Sequence, residues 1–124
     1  MKELTDYDDL LKDVSKYFSK LVRRCNELGI KDVIIDPGFG FAKDAAQSFH
    51  LLKSLEYFHW LEKPILVGVS RKSMIYRTLN LTADEALNGT TVLNTLALFK
   101  GASILRVHDI REAVQAIKLL EQLK

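Results

Sequence analysis

Hydrophobic and polar residues alternate along the first part of the chain with the period of an α-helix. Apolar side chains recur every three or four residues, and Gly29 follows where a helix commonly ends. The apolar positions are Tyr7, Leu10, Leu11, Val14, Phe18, Leu21, Val22, Cys25 and Leu28. The pattern predicts one long amphipathic helix that packs against the core through this stripe. Cys25 lies on the stripe and is expected to be a buried thiol.

Beyond Gly29 the sequence alternates short apolar runs with helical patterns. Three runs rich in β-branched residues predict buried strands, at 33–35, 65–69 and 104–107. Helical periodicity follows each run and predicts helices at about 45–60, 72–79, 83–100 and 110–123. This alternation predicts an α/β fold with a parallel sheet. Both a small open sheet and part of a (β/α)8 barrel fit the pattern.

Two further signals refine the predicted helices. Thr82 and Glu85 have the spacing of a capping box, with Thr82 as the N-cap of the helix that runs to about Lys100. The last helix is expected to pack through one apolar side. That side consists of Ile110, Ala113, Val114, Ile117, Leu120 and Leu123.

Composition and charge narrow the class of protein. The 124 residues allow at most one domain, and 48% apolar with 27% charged residues is typical of a globular protein. A net charge of +2 is too small to indicate a nucleic-acid or membrane partner. The single cysteine excludes an internal disulfide and a cysteine-based zinc site. The start lacks a signal-peptide pattern, and no run approaches the ~20 apolar residues of a membrane span, so a cytoplasmic location is expected.

Each predicted strand ends in residues that can bind a ligand. The carboxyl ends of parallel strands lie along one edge of a sheet, and ligands bind there. We therefore expect seven polar side chains that are distant in sequence to converge. They are Asp36, Ser70, Arg71, Lys72, Ser73, Arg106 and His108.

These residue types suit a flat heterocycle and an anion. Asp36 can accept hydrogen bonds from adjacent ring N–H groups, and Phe41 can cover the ligand, although Asp-Pro-Gly is also a common turn. The segment 70–73 offers hydroxyls, cations and backbone N–H groups at a helix start, which favours an anion; a solvated surface turn is the alternative. Arg106 and His108 alternate with apolar residues, so both face one side and suit phosphate, unless Arg106 pairs structurally with an aspartate.

The sequence does not indicate a metal site or a catalytic triad. His50 and His59 lie on the second predicted helix without ligand-like partners, and we interpret them as surface or packing residues. The sequence contains no pattern of a metal-ligand cluster and no Ser–His–Asp or Cys–His set. A binding site at the strand ends is therefore the main functional hypothesis.

Three motifs together resemble the C-terminal half of the dihydropteroate synthase family. They are the segments 36–43 (DPGFGFAK), 68–74 (GVSRKSM) and 106–109 (RVHD), and the similarity runs from about Lys31 to Leu120. The resemblance implies a (β/α)8 barrel of the TIM type, of which residues 1–124 form a single partial domain with strands six to eight. Three parallel strands and about five helices are expected. The family joins dihydropterin pyrophosphate to 4-aminobenzoate in folate synthesis, releases pyrophosphate, and is the target of sulfonamide drugs.

The resemblance also implies roles on the pterin side of the site. Asp36 would hold the amino and ring N–H groups of the pterin, and Lys72 would contact the pterin and the aminobenzoate side. Arg106 would stack on the pterin and reach toward phosphate, where His108 would join it. Asp36 and Lys72 are the expected catalytic residues. No protein nucleophile is needed, because stabilising the departing anion and orienting the amine suffice.

On the other side of the site, the resemblance implies an aminobenzoate pocket. Ser73 would receive the carboxylate of 4-aminobenzoate, and Phe41 and Arg71 would line the pocket. Mg²⁺ is the expected cofactor, bound mainly through the pyrophosphate. The expected partners are these small molecules, without nucleic acid or membrane.

The resemblance leaves the first five strands of the family barrel without a counterpart. We therefore expect a truncated chain that is inactive alone and that covers its exposed edges by self-association as a homo-oligomer. Two alternatives stay open. One is the half-barrel of a pterin-binding methyltransferase, which would have no pyrophosphate to hold, and the other is a non-catalytic fragment.

Overall fold

The computed structural model describes residues 4–39 and 44–124, with side chains described from Asp9 onward. The α-helices are α1 (Leu4–Glu27), α2 (Ala45–Lys53), α3 (Ser73–Thr78), α4 (Leu87–Phe99) and α5 (Ile110–Glu121). Two 3₁₀ helices cover Leu55–Leu61 and Ala83–Glu85. The two strands are β1 (Leu66–Val67) and β2 (Ile104–Leu105). Two of the three predicted strands are present between helices, and each is shorter than predicted, with only two residues.

The sheet is parallel and short. β1 pairs with β2 in the register Leu66 with Ile104 and Val67 with Leu105. On the other side of β1, Ile35 forms a parallel bridge with Ile65. The three predicted runs therefore lie side by side in the same direction, with the second run in the middle.

The run 33–35 forms only this bridge, so the prediction of a complete strand there is wrong. The backbone N–H of Ile35 donates to the Pro64 carbonyl at 2.9 Å, and the N–H of Leu66 donates to the Ile35 carbonyl at 2.7 Å. Ile34 points away from the core and is 53% exposed. Pro37 has no N–H with which to continue the ladder, which accounts for pairing that stops so early.

The predicted helix at 45–60 is divided at Ser54. Up to Lys53 it is α-helical, and from Leu55 it is a 3₁₀ helix. Leu55, Phe58 and Leu61 are all buried, and their spacing of three residues matches the 3₁₀ period. The tighter helix therefore aligns all three side chains, whereas an α-helix would spread them over about 120°.

The helix predicted from Thr82 to Lys100 is also divided. The capping box is confirmed, since the Glu85 carboxylate accepts a hydrogen bond from the N–H of Thr82 at 3.1 Å. It caps one 3₁₀ turn, however, and α4 begins only at Leu87. The short turn brings the carbonyls of Ala83 and Asp84 close to the strand ends, where they accept hydrogen bonds described below.

α1 packs through its middle and not through its whole stripe. Phe18 meets Phe58 edge to face, with ring centroids 6.1 Å apart, and the indole N–H of Trp60 donates to Ser15 Oγ at 3.0 Å. The end of α1 is mostly exposed, as are Leu21 and, just beyond the helix, Leu28. Cys25 is half-buried, so the prediction of a buried thiol is wrong.

The packing side of α5 also differs from the prediction. Its buried residues are Ala113 and Ala116, whereas Ile110, Val114 and Leu123 are exposed. The two alanines allow the backbone of α5 to approach its neighbours closely, and small side chains at the contact decide the rotation of the helix. Among the described residues, no helix is both long enough and apolar enough to cross a bilayer.

Candidate ligand site at the strand ends

The ends of the three parallel runs bring Asp36 and Arg106 together. Arg106 Nη1 donates to Asp36 Oδ2 at 2.9 Å, although the two residues are 70 positions apart. Their side chains are 51% exposed for Arg106 and 37% for Asp36, so the ion pair is open to solvent. Asp36 Oδ1 accepts a hydrogen bond from the N–H of Gly38 at 2.9 Å. The contact is the Arg–Asp pair that the sequence offered as the alternative to phosphate binding.

Lys72 joins the same edge from the second run. It is the N-cap residue of α3, and its ammonium donates to the backbone carbonyl of Phe39. Phe39 is buried and follows Asp36 by three residues. The side chain of Lys72 therefore reaches from the start of α3 to the loop that carries Asp36. Ser73 is the first residue of α3 and is half-buried.

His108 and Ser70 are connected through the backbone. The N–H of His108 donates to Ser70 Oγ at 3.2 Å, and Ser70 is buried while His108 is exposed. This bond ties the segment after β2 to the segment after β1. His108 and Arg106 lie two residues apart on the exposed edge, as the alternation in the sequence predicts.

Arg71 makes contacts that the sequence did not indicate. Its guanidinium donates to both carboxylate oxygens of Asp109, from Nε and from Nη2, each at 3.0 Å. Nη1 donates to the carbonyls of Ala83 at 2.9 Å and Asp84 at 2.7 Å. The backbone of Arg71 is left-handed, with φ at 52°. Its N–H donates to the buried Thr90 Oγ1 at 3.0 Å.

The Arg71–Asp109 pair changes the acidity of both groups. Two charge-assisted hydrogen bonds from Arg71 lower the pKa of Asp109 below its ordinary value of 3.8, against the opposing effect of burial. The same hydrogen bonds raise the pKa of Arg71. Both side chains are 22% exposed, so the pair is partly shielded from water. Arg71 thus acts as a clamp between the ends of β1 and β2, and its place in an aminobenzoate pocket stays a prediction.

The clamp predicts a pH-dependent contribution to stability. Because the pKa of Asp109 is lower in the folded chain than in the unfolded chain, its stabilising effect is complete above about pH 5 and is lost as the pH falls through the folded pKa. Asp109→Asn should therefore lower the free energy of unfolding near neutral pH and match the parent more closely in acid. Urea denaturation between pH 3 and 7, in roughly unit steps, measures the difference. Asp32→Asn, at an exposed position, is the control; a constant Asp109→Asn difference would contradict the pairing.

The other predictions for the site concern Phe41, a metal ion and the histidines. Phe41 lies outside the described residues. Among residues 4–39 and 44–124, no group of three or more His, Cys, Asp or Glu side chains is placed to hold a metal ion. His59 lies so close to Gly101 that a Cβ atom on residue 101 would stand 2.2 Å from its Nε2, so this histidine packs against the turn before β2.

Gly68 is a residue of the site whose role the sequence did not reveal. The guanidinium of Arg106 lies directly over its backbone. A glycine within a run of β-branched residues is a signal of close approach by another group, and this signal was present between Val67 and Val69. Asp109 was likewise part of a motif, but its partner 38 positions away was not readable from the sequence.

Comparison with known proteins extends the description of the site. A family model described as "Pterin binding enzyme" matches residues 1–108. Dihydropteroate synthase of Escherichia coli K12 is 42% identical over 123 residues, which are 98% of this chain and 44% of that protein. The chain therefore spans less than half the length of this relative.

Solved structures of dihydropteroate synthases are also similar to this chain. A Yersinia pestis dihydropteroate synthase in complex with a sulfonamide drug superposes with a TM-score of 0.90 at 39% identity, covering 94% of this chain and 43% of that one. A Coxiella burnetii dihydropteroate synthase in complex with pteroic acid has a TM-score of 0.88 at 38% identity and covers 91% and 43%. At these identities the likeness extends to sequence as well as fold.

Proposed function

Because the chain belongs to the pterin-binding enzyme family, we propose that it forms the pterin and diphosphate side of a dihydropteroate synthase site. The reaction joins dihydropterin pyrophosphate to 4-aminobenzoate and releases pyrophosphate. The observation that carries the proposal is the meeting of Asp36, Lys72 and Arg106 at one edge of the parallel sheet. Asp36 can accept hydrogen bonds from ring N–H groups, and the cations Lys72 and Arg106 on the adjacent segments can bind a diphosphate.

We further propose that the chain supplies strands six to eight of a (β/α)8 barrel. The parallel order of the Ile35 bridge, β1 and β2 supports this arrangement. The chain covers 43% of the Yersinia pestis enzyme, which is consistent in length with fewer than half of the units of a barrel. In such a barrel the carboxyl ends of the strands form the active face, which is the edge where Asp36 and Arg106 lie.

The chemistry assigned to these side chains is electrostatic. Arg106, Lys72 and His108 would stabilise the negative charge that develops on the departing pyrophosphate, while Asp36 holds the pterin. The amine of 4-aminobenzoate attacks the exocyclic methylene of the pterin, the C–O bond to pyrophosphate breaks, and the amine proton is lost to solvent. Each carboxylate oxygen of Asp36 has a second acceptor site, so the ring N–H groups of the pterin can bind Asp36 while Arg106 and Gly38 still donate to it.

The described residues do not fit a Mg²⁺ ion held by the protein. Asp36 and Asp109 are the carboxylates at the described strand ends, and each binds an arginine. We therefore treat Mg²⁺ as part of the diphosphate substrate. Ser73, Arg71 and Phe41 stay the proposed aminobenzoate side, and self-association of the chain stays a proposal as well.

Calorimetry tests the proposed function directly. Titration of the chain with dihydropterin pyrophosphate should release heat, and inorganic pyrophosphate should bind more weakly because it lacks the pterin contacts. Methyltetrahydrofolate should give no heat. Heat with methyltetrahydrofolate but not with pyrophosphate would instead favour a pterin-binding methyltransferase. A chain that binds none of the three compounds would be a non-catalytic fragment.

A further inference from the structure

Gly68 stands beside Arg106 in the parallel sheet. β1 and β2 pair Val67 with Leu105, so the next residues of the two segments are Gly68 and Arg106. The N–H of Arg106 donates to the Val67 carbonyl at 3.0 Å, which extends the pairing by one residue. Gly68 is buried, and the long side chain of Arg106 passes across it toward Asp36.

The space over Gly68 is occupied by the guanidinium itself. A Cβ atom at position 68 would stand 2.5 Å from Nη2, 2.8 Å from Cζ and 2.9 Å from Nε of Arg106. Real Cβ atoms essentially never come within 3.0 Å of another group. All three of the nearest atoms belong to Arg106, so its guanidinium is the first group that a side chain here would meet.

Backbone conformation does not require glycine at this position. Among the described residues, the glycines with positive φ are Gly29, Gly38 and Gly101, and Gly68 is not among them. Alanine is therefore compatible with the local backbone. The atom that would collide is the far end of a flexible side chain, so a substitution should move the guanidinium and leave the fold intact.

We propose that Gly68 is a positioning residue for Arg106. By having no side chain, it lets the guanidinium lie flat on the end of β1 and reach Asp36 on the neighbouring run. The effect on ligand binding rests on the proposed function. The effect on the orientation of Arg106 does not.

An NMR spectrum of the arginine Nε–Hε groups tests the orientation without any ligand. In Gly68→Ala, the Arg106 resonance should move toward that of a solvated arginine, because the ion pair with Asp36 is disturbed. The Arg71 resonance should stay in place and is the control in the same spectrum, since its fork on Asp109 is separate. Arg106→Gln assigns the signal by its loss. An unchanged Arg106 resonance in Gly68→Ala would overturn the proposal.

A double-mutant cycle tests the functional consequence. Gly68→Ala should weaken binding of dihydropterin pyrophosphate about tenfold, because a displaced guanidinium no longer meets the ligand in place. In the Arg106→Gln background, Gly68→Ala should have no further effect. An equal tenfold loss in both backgrounds would show that residue 68 acts on the ligand directly, and would overturn the positioning role.

One more variant keeps the proposal testable if Gly68→Ala does not fold. Adding Arg106→Ala removes the colliding guanidinium, so the double variant should recover the folded state. An unfolded double variant would mean that a group other than Arg106 excludes a side chain at position 68. Absence of ligand binding by the parent chain would count against the proposed function alone, since the NMR result stands by itself.

Discussion

Replacing Arg106 by glutamine should weaken the binding of dihydropterin pyrophosphate by about 30- to 100-fold. Hydrogen bonds to charged groups contribute about 1.5–3 kcal/mol each, and about 1.4 kcal/mol corresponds to a factor of ten in affinity. Glutamine keeps part of the length but loses the charge and the planar fork. The loss should be larger for dihydropterin pyrophosphate than for a pterin without phosphate, because Arg106 is assigned to both parts of the ligand.

Arg111 provides a matched control away from the strand ends. It lies on α5, its side chain is 83% exposed, and it pairs with the adjacent Glu112. Arg111→Gln removes the same charge without touching the strand ends, so it should change the affinity by less than about twofold. Calorimetry at one salt concentration compares the two variants. Equal effects would mean that Arg106 acts only through the net charge of the chain.

Replacing Phe58 by alanine should lower the free energy of unfolding by about 3–5 kcal/mol. Phe58 is 0% exposed and meets Phe18 and Tyr57 edge to face, at centroid distances of 6.1 and 5.8 Å. It holds the 3₁₀ helix against α1, so the smaller side chain would leave a cavity between them. The expected loss is a large part of the roughly 5–15 kcal/mol that is typical of a domain.

Phe99→Ala removes the same side chain from the surface. Phe99 ends α4 and is 76% exposed, so its replacement should change stability by no more than about 0.5 kcal/mol. Urea denaturation followed by circular dichroism measures both variants. A difference of less than about 1 kcal/mol between them would contradict the packing of Phe58 in the core.

The sequence predicted the order of the elements because each buried helix or strand face leaves apolar residues at a regular spacing in its own segment. It did not predict where helices change type. After the break at Ser54, Leu55, Phe58 and Leu61 are buried together, and their burial depends on contacts with the whole core rather than on local sequence. The rotation of α5 was likewise decided by close packing at its two buried alanines, although larger apolar residues dominate the pattern.

The sequence was sufficient to predict which segments meet at the site. The parallel-strand rule placed Asp36 and Arg106 at one edge, and the structure has them in contact. The rule says nothing of pairing between side chains, so the fork of Arg71 on Asp109 was missed. The role of Gly68 was hidden because an absent side chain has meaning only when its neighbour is known.

Few amino acids can replace Arg71 in this structure. Its left-handed backbone favours glycine or asparagine, whereas its contacts with Asp109 and two carbonyls need a planar group with several donors. Lysine has no fork, glycine has no donors, and asparagine is too short to span the gap. Each of these three replacements fails at least one of the two demands, so position 71 should tolerate few substitutions.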